Sequence, residues 1–438
     1  MKERFVSTGG AAPAAALPSA LFRSLAPDGG LYLPEDLPSL SPAALKRVLD
    51  PPWPAGPTEL ARVLLPEIPS ASLESIVSGA LSFPIPLVEV EPGRWVLELF
   101  HGPTLAFKDV GARFMARLFS HLDTDSREPL TVLAATSGDT GSAVAQAFLG
   151  VPGTRVAILY PEGKVSPVQE CQFTTLGENV QALAVAGTFD DCQRLVKAAF
   201  ADAVLARRLR LTSANSINLG RLLPQSFYYF HAVSQLPAGS APPVFAVPSG
   251  NFGNLTAGVL AHRLGLPMTS FIAATNANDV VPRFLESGIF RPRPSIATIS
   301  NAMDVGNPSN FDRIRHLFGG DGAAMGREIE GFRSSDEETR GTIRAVFERT
   351  GYVLDPHTAI GYRALERLRG EAGEDRPGIV LATAHPVKFR EHVEPLIGRK
   401  IPVPKRLAQC LDRPRRSLPL APEEKALKGF LEAWRIGP

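Results

Sequence analysis

From residue 94 onward, short apolar runs alternate with longer segments of helical period, and this alternation constrains the fold more than any other feature. Seven runs have the length and apolar character of buried strands: residues 95–100, 131–136, 155–160, 180–185, 244–247, 271–275 and 378–383. After the second run, apolar and small residues recur at helical spacing at positions 140, 143, 144, 147 and 148. The pattern predicts an α/β fold of two lobes with mostly parallel sheets.

The first 85 residues differ, because seven prolines between Pro34 and Pro57 predict short helices joined by turns. Residues 26–34 indicate a tight turn that leads into a short strand. We therefore predict an N-terminal extension domain over 1–90, a small α/β domain over 91–235 and a large α/β domain over 236–400. A Pro-rich, basic linker and a final helix near 422–435 make up the predicted tail, 401–438.

Composition excludes several classes of protein. The 438 residues carry 46 basic and 44 acidic side chains, a net charge of +2, so nothing resembles the one-signed surface of a nucleic-acid binder. No apolar stretch approaches the ~20 residues of a membrane span. The three cysteines are odd in number and widely spaced, and the eight histidines lack ligand spacing. We expect a reducing, cytoplasmic location and no metal.

The loops that follow the predicted strands are where ligands bind in such sheets. In HGPTLAFKDVG (101–111), Lys108 follows three apolar residues and begins a helix-like run. Desolvation beside apolar neighbours favours a neutral amine, the form that Schiff-base chemistry needs. The alternative is an ordinary solvated lysine.

A second loop, VPSGNFGNLTAG (247–258), directly follows a predicted strand. Gly250 and Gly253 allow a sharp turn and a close approach to a ligand. We expect a helix to begin near Asn254 and its N–H groups to bind a phosphate, although a simple Gly-Asn turn is the alternative. The loop matches neither the dinucleotide nor the nucleotide-triphosphate fingerprint.

Three further stretches carry polar side chains. In ATSGDTGSAVA (135–145), hydroxyls and backbone N–H groups suit a small anion such as a carboxylate, but Asp139 or Thr140 also suits a helix cap. GKVSPVQ (163–169) and NSINLGRLLPQ (215–225) supply a lysine and an arginine that together suit a phosphate. The spacing of Asn218, Arg221 and Gln225 places them on one face of a predicted helix.

These motifs together resemble the threonine synthase family in its longer form. The resemblance rests on HGPTLAFKD, ATSGDTGSA, GKVSPVQ, NSINLGR, VPSGNFGN, AMDVGNPSN, DPHTA and TAHPVKF, in that order over residues 101–389. The opening STGG and APDGGLYLPE resemble the family's N-terminal extension. The usual Ser-Thr-Arg-Gly is here Ser7-Thr8-Gly9-Gly10, and the stretch after residue 400 matches nothing in the family pattern.

The resemblance implies a pyridoxal 5′-phosphate enzyme of fold type II, similar to the tryptophan synthase β-subunit, with O-phospho-L-homoserine and water as substrates and L-threonine and phosphate as products. Lys108 would carry the cofactor and act as the base, Asp139 would lie near the cofactor's 3′-oxygen, and Thr383 would bond its ring nitrogen. The implied cofactor-phosphate residues are Gly250, Asn251, Phe252, Gly253 and Asn254. The expected substrate residues are Ser137, Gly138, Thr140, Lys164, Ser166, Asn215, Asn218, Arg221 and Gln225.

Two other functions stay open at this point. A phospholyase with the same cofactor would keep Lys108 and the glycine loop and release a keto acid and ammonia. A non-catalytic binding protein on the same fold would not carry the cofactor on its lysine. We expect a monomer or a homodimer with a small-molecule substrate as its partner.

Overall fold

The computed structural model describes residues 2–123, 128–372 and 376–434 of the chain. Strands in this part of the chain are β1 (Glu3–Ser7), β2 (Ala15–Ala16), β3 (Tyr32–Pro34), β4 (Leu87–Glu91), β5 (Arg94–Glu98), β6 (Leu130–Ala135), β7 (Thr154–Pro161), β8 (Val180–Val185), β9 (Leu211–Ser213), β10 (Val244–Pro248), β11 (Ser270–Thr275), β12 (Ile329–Arg333), β13 (Gly378–Ala382) and β14 (Ser417–Leu420).

Helices make up most of the remaining structure: α1 (Leu17–Arg23), α2 (Pro42–Leu49), α3 (Ala55–Leu64), α4 (Ser70–Ala80), α5 (Lys108–Leu122), α6 (Asp139–Phe148), α7 (Pro167–Thr174), α8 (Phe189–Ala201), α9 (Ala203–Arg208), α10 (Leu219–Leu222), α11 (Gln225–Ser234), α12 (Gly253–Arg263), α13 (Val280–Ser287), α14 (Phe311–Leu317), α15 (Gly322–Glu328), α16 (Asp336–Thr350), α17 (Pro356–Ala372), α18 (Arg390–Ile397), α19 (Lys405–Leu411) and α20 (Glu424–Ala433), with 3₁₀ turns at Asn301–Met303 and Pro386–Phe389.

The chain forms two compact units, each assembled from non-consecutive stretches. Unit 1 contains residues 1–32, 108–221 and 403–438, and unit 2 contains residues 33–107 and 222–402. The sequence predicted four consecutive domains, and this division stays a prediction. Its boundaries differ from those of the two compact units. The reason is that parallel sheets collect strands from distant parts of a chain, as when β13 pairs with β5.

Unit 1 is built on a five-stranded sheet in the order β14-β8-β7-β6-β9, in which every neighbouring pair is parallel. Every residue of β6 and β7 is buried, as expected of strands covered on both faces. The alternation of strands and helices therefore predicted this part of the fold correctly.

The tail of the chain adds to the unit 1 sheet rather than serving only as a linker. β14 pairs in parallel with β8, from Ser417 opposite Ala182 to Leu420 opposite Val185. The sequence analysis missed this strand because it contains Pro419, and a proline is tolerated only at the edge of a sheet, where β14 lies. The predicted final helix is confirmed as α20, whose Leu427 and Leu431 join the unit 1 core.

Unit 2 is built on a six-stranded sheet in the order β12-β11-β10-β13-β5-β4. Its strands are parallel except for the β4–β5 hairpin at one edge. β10 and β13 are neighbours and both are entirely buried, so the loops that follow them leave the same edge of the sheet. Those loops are the glycine loop after residue 248 and the segment at Thr383.

Candidate active site

Lys108 is the first residue of α5, and its amine lies close to a buried carboxylate. Its Nζ is 3.9 Å from Oδ2 of Asp139, with the lysine side chain 14% exposed and the aspartate side chain 3% exposed. Both residues belong to unit 1, and each begins a helix. The amine is thus held in a largely water-free place with an opposite charge beside it, which is unlike a solvated surface lysine.

Gln169 extends this arrangement into a chain of hydrogen bonds. Its Nε2 donates to Asp139 Oδ1 at 2.8 Å, and its Oε1 accepts from Ser166 Oγ at 3.1 Å. Ser166 also caps α7 by accepting from the backbone N–H of Gln169 at 3.3 Å. Ser166, Gln169, Asp139 and Lys108 are therefore connected in one line, in which the side-chain amide fixes the orientation of the carboxylate.

The sequence analysis missed Gln169, although it is the last residue of the GKVSPVQ motif. One signal could have found it. A serine followed by proline predicts a helix N-terminus, and the residue three positions later then lies in the first turn beside the cap.

The loop before α6 is held by a buried threonine. Thr136 Oγ1 accepts from the backbone N–H groups of Gly138 at 2.9 Å and of Gly141 at 2.8 Å. Gly138 has φ 148°, and a Cβ there would lie 2.6 Å from the Gln169 side chain, so only glycine fits. Ser137 is exposed and Thr140 is half-buried in the first turn of α6. Both readings of this loop, helix N-terminus and anion site, remain compatible with its geometry.

Asn218 serves the packing of unit 1. Its side-chain amide donates to Leu21 O at 2.8 Å, Ser24 Oγ at 2.8 Å and Ser213 O at 3.0 Å, and its Oδ1 accepts from the Gly220 N–H at 2.8 Å. The residue is 0% exposed. A side chain whose donors and acceptor are already engaged, out of contact with solvent, fits a structural role better than the predicted substrate contact.

Asn215 is in the opposite situation. Its backbone N–H donates to Ser213 Oγ, but its buried Oδ1 has no hydrogen-bond partner among the described residues. A buried acceptor left without a donor costs free energy unless something binds it. Asn215 therefore has an atom available for a ligand.

Arg221 is buried and charged. It is 3% exposed, and its Nη1 donates to the Ala214 carbonyl at 2.8 Å. Burial lowers the pKa of the guanidinium to about 10, while the nearby Asp109 acts in the opposite direction. The group is still protonated at neutral pH, and a buried cation of this kind is suited to an anionic ligand.

The predicted single helix face over residues 218–225 is wrong. Asn218 precedes α10, Arg221 lies within it, and Gln225 begins α11 after a break at Leu223–Pro224. A proline cannot continue a helix, because it lacks the N–H and clashes with the preceding turn. Gln225 belongs to unit 2 and is buried, whereas Lys164 is exposed in the turn after β7 of unit 1.

In unit 2, the glycine loop between β10 and α12 is a tight turn at the start of a helix. Phe252 has φ 60°, in the left-handed region, and α12 begins at Gly253 with no side-chain cap from any described residue. Asn254 Nδ2 donates back to the Pro248 carbonyl at 2.7 Å, which closes the loop. The predicted helix start is confirmed within one residue, and uncapped N–H groups of this kind favour a phosphate.

Two further motifs, AMDVGNPSN and DPHTA, contact the glycine loop and the segment beside it. A Cβ on Gly250 would lie 2.6 Å from the Ala302 carbonyl oxygen, so the two segments are in close backbone contact. Asn251 Oδ1 accepts from the Ser309 N–H at 2.6 Å. The Ala302 N–H in turn donates to Nε2 of His357 at 3.2 Å, and Nδ1 of His357 lies 2.7 Å from Asp355. AMDVGNPSN and DPHTA therefore support the glycine loop through backbone and side-chain contacts.

Thr383 directly follows β13, and the segment before Lys108 is hydrogen-bonded to it. The backbone N–H of Phe107 donates to the Thr383 carbonyl at 2.9 Å, and the N–H of His385 donates to the Leu105 carbonyl at 3.0 Å. Leu105 has φ 59°, a left-handed conformation that is strained for a leucine and persists only where packing demands it. Lys108 is the next residue after Phe107 in the sequence.

The residues present fit pyridoxal phosphate. Its aldehyde needs an amine held away from water, as Lys108 is, and its phosphate needs convergent N–H groups, as the start of α12 offers. Within the described part of the chain, no group of three or more His, Cys, Asp or Glu side chains could hold a metal. No helix there has the length and apolar character to cross a membrane.

The fold and these groups define the class of pyridoxal-phosphate-dependent enzymes, and residues 84–383 match that family. Residues 4–81 match the threonine synthase N terminus and residues 358–431 the threonine synthase C-terminal family. A threonine synthase of Serratia marcescens is 47% identical over 94% of this chain and 95% of its own length. The chain belongs to the threonine synthase family, and its cofactor is pyridoxal phosphate.

Solved structures of threonine synthases have the same fold as this chain. The crystal structure of threonine synthase from Escherichia coli covers 98% of this chain and 99% of its own, with a TM-score of 0.90 and 44% identity. That of PLP-bound threonine synthase from Brucella melitensis has the same coverage and TM-score with 39% identity. These findings confirm the family resemblance, the fold class and the cofactor, and the C-terminal match extends the likeness into the tail that the motifs did not cover.

Proposed function

We propose that the chain converts O-phospho-L-homoserine and water into L-threonine and phosphate. The observation that carries this proposal is the line from Ser166 through Gln169 and Asp139 to the Lys108 amine, in a chain of the threonine synthase family. Phosphate leaves from Cγ of the substrate and the hydroxyl of water ends on Cβ. Protons must therefore be moved at both Cα and Cβ, and an amine beside the substrate is needed.

Lys108 is the residue we assign to proton transfer at Cα. The bound cofactor supplies an electron sink for the negative charge that develops at carbon. Asp139 lies 3.9 Å from the Lys108 amine and balances the positive charge of the amine when the amine is protonated. Gln169 keeps the Asp139 carboxylate turned toward the amine. The low exposure of both side chains excludes water that would compete for the proton.

Substrate binding needs sites for two anionic groups. For the carboxylate, we propose the loop formed by Ser137, Gly138 and Thr140 at the start of α6. For the phosphate, we propose Lys164, Ser166, Asn215 and Arg221, all of which belong to unit 1. The buried charge of Arg221 and the unpartnered Oδ1 of Asn215 support the second assignment. Asn218 is left out, because its amide is already engaged.

Unit 2 supplies the proposed cofactor contacts. Residues 250–254 would bind the cofactor phosphate through the uncapped start of α12, and the Thr383 hydroxyl would bond the ring nitrogen. A neutral hydroxyl does not stabilise a protonated ring nitrogen as a carboxylate would. Gln225 is buried in the same unit and is kept as a candidate substrate residue.

The test is a product assay on O-phospho-L-homoserine, measured with and without added pyridoxal phosphate. The wild type should release phosphate and threonine in equal amounts. Lys108→Ala should lose turnover and the borohydride-reducible absorption band, whereas the matched control Lys46→Ala, at a lysine whose side chain is 78% exposed, should lose neither.

Other outcomes identify the alternatives. Release of phosphate with a keto acid and ammonia in place of threonine would establish a phospholyase. A wild-type protein that stays colourless with added cofactor would refute the enzyme altogether. Arg221→Ala should raise KM and leave the absorption band unchanged, and an unchanged KM would remove Arg221 from the phosphate site.

We also propose that the protein works in the cytoplasm as a monomer or a homodimer, with a small molecule and not a nucleic acid as its partner. The free thiols of its three cysteines and its net charge of +2 support this proposal. Sedimentation velocity across a range of concentrations tests the oligomeric state, and a species larger than a dimer would contradict it.

A further inference from the structure

Two cysteines that are far apart in the sequence meet in unit 1, where the tail packs on α7. Cys171 lies in α7 and Cys410 in α19. Thr175, just after α7, connects them: its Oγ1 donates to the Cys171 carbonyl at 2.8 Å and lies 3.4 Å from the Cys410 sulfur. All three residues belong to the same compact unit, and all the cysteines carry free thiols.

The segment that follows Cys410 is held against α7 by two contacts. The Arg416 N–H donates to the Thr174 carbonyl at 2.6 Å, and the Arg415 guanidinium pairs with Glu170 at 3.2 Å. β14 begins at the next residue and joins the sheet. These contacts, together with that of Thr175, hold Cys410 beside the helix that carries Cys171.

Their surroundings make one of them nucleophilic. The pKa of the Cys410 thiol is lowered to about 6, mainly by its side-chain hydrogen bond with Cys171 and, against the effect of burial, by Thr175 and the charges of Arg413 and Arg415. A lowered pKa increases the share of the thiol present as thiolate, which is the reactive form. Cys410 is partly exposed and Cys171 is buried, which is the arrangement of an attacking thiol with a second thiol behind it.

We propose that Cys410 and Cys171 form a peroxide-sensitive thiol pair that closes to a reversible disulfide between α19 and α7. The Cys410 thiolate attacks one oxygen of hydrogen peroxide, which breaks the O–O bond, and after protonation the products are a sulfenic acid and one water. The Cys171 sulfur then attacks the sulfenic sulfur, loses its proton and displaces the hydroxyl as a second water. Two thiols are oxidised and one peroxide is reduced, and a dithiol reverses the step.

The third cysteine provides a matched control. Cys192 lies in the apolar core of unit 1, and burial raises the pKa of its thiol to about 12. It should stay a thiol under conditions that oxidise Cys410, because neither the thiolate nor access for peroxide is available.

The experiment is thiol counting and peptide mapping of the holoenzyme after brief treatment with hydrogen peroxide at pH 7. The denatured wild type should fall from three titratable thiols to one, lose two hydrogen atoms in mass and yield a peptide in which Cys171 and Cys410 are joined. Dithiothreitol should restore three thiols. Cys192→Ser should fall from two thiols to none, with the same joined peptide.

Two variants identify the roles within the pair. Cys171→Ser should stop at the sulfenic acid of Cys410, which dimedone traps, and Cys410→Ser should keep both remaining thiols. Three surviving thiols in the treated wild type would overturn the proposal, as would a disulfide that joins two chains or one that includes Cys192. These readouts do not depend on turnover, so this inference and the proposed reaction fail or succeed separately.

Discussion

Gln169 is the side chain whose replacement tests the geometry of the site most directly. Its amide donates at 2.8 Å to a carboxylate whose side chain is only 3% exposed. A hydrogen bond to a charged group contributes about 1.5–3 kcal/mol, and the loss cannot be made good by water at so buried a position. If this bond orients Asp139 toward Lys108 during proton transfer, Gln169→Leu should lower kcat by roughly 10- to 150-fold.

Gln169→Glu should be worse at neutral pH and should recover in acid. The variant keeps the shape of the side chain but places a second carboxylate against Asp139, and two such groups share one proton because both cannot ionise together. As the pH falls, the protonated pair regains a donor between the two residues. The ratio of variant to wild-type kcat should therefore rise from pH 8 to pH 6, as measured by the phosphate-release assay.

The control is Gln181→Leu, on β8 of the same unit, where the side-chain amide donates to the carbonyl of the next residue at 3.0 Å. This variant should keep wild-type turnover. If Gln169→Leu also turned over at the wild-type rate, or if the Gln169→Glu ratio did not change with pH, the line of hydrogen bonds would be packing alone. The absorption band of the bound cofactor should remain in all three variants, because Lys108 is retained.

Three further results are expected. Gly250→Ala places a Cβ 2.6 Å from the Ala302 carbonyl oxygen. This variant should weaken pyridoxal-phosphate binding by roughly 5- to 150-fold in an absorbance titration. Gly326→Ala, whose Cβ would have no described atom within 4 Å, should bind the cofactor like the wild type. Asn218→Ala should lower the free energy of unfolding by about 1–3 kcal/mol in urea with KM unchanged; a raised KM with normal stability would restore its substrate role. Burial lowers the pKa of His231 to about 4, so protonation of His231 favours the unfolded chain. The free energy of unfolding should therefore fall between pH 6.5 and pH 4 by up to ~1.4 kcal/mol per pH unit. The fall should be less steep in His231→Gln, and equal slopes in the two proteins would refute this.

The central strands of the two sheets were predictable because they are largely apolar. All seven predicted runs became strands, since a fully buried parallel strand leaves an uninterrupted apolar stretch in the sequence. Short strands at sheet edges were not predictable in this way. β9 has three residues, and β14 is mostly exposed and contains a proline, so neither has an apolar run. Their positions depend on pairing with β6 and β8, which a local pattern does not record.

The sequence predicted which residue types belong to the site better than it predicted which of these residues contact one another. The sequence placed Lys108 and Asp139 in separate loops, and their 3.9 Å approach depends on how α5 and α6 begin. Asn218 was misleading for the same reason, because its motif does not reveal that α1 supplies the acceptor for its amide. The break at Pro224 was visible in the sequence, and weighing the proline against the i, i+3, i+7 spacing would have avoided the error.

α7 lies between the tail and the Lys108–Asp139 pair and contacts both. Its first turn carries Gln169, which holds Asp139, and its second turn carries Cys171, which meets Cys410 of α19. The helix has only eight residues, about 12 Å at the usual rise, so a change imposed at Cys171 acts two residues from Gln169, whose hydrogen bond orients the carboxylate. The proposed disulfide between α19 and α7 would therefore act on the helix that orients Asp139, and the tail that carries Cys410 packs on that helix as part of unit 1.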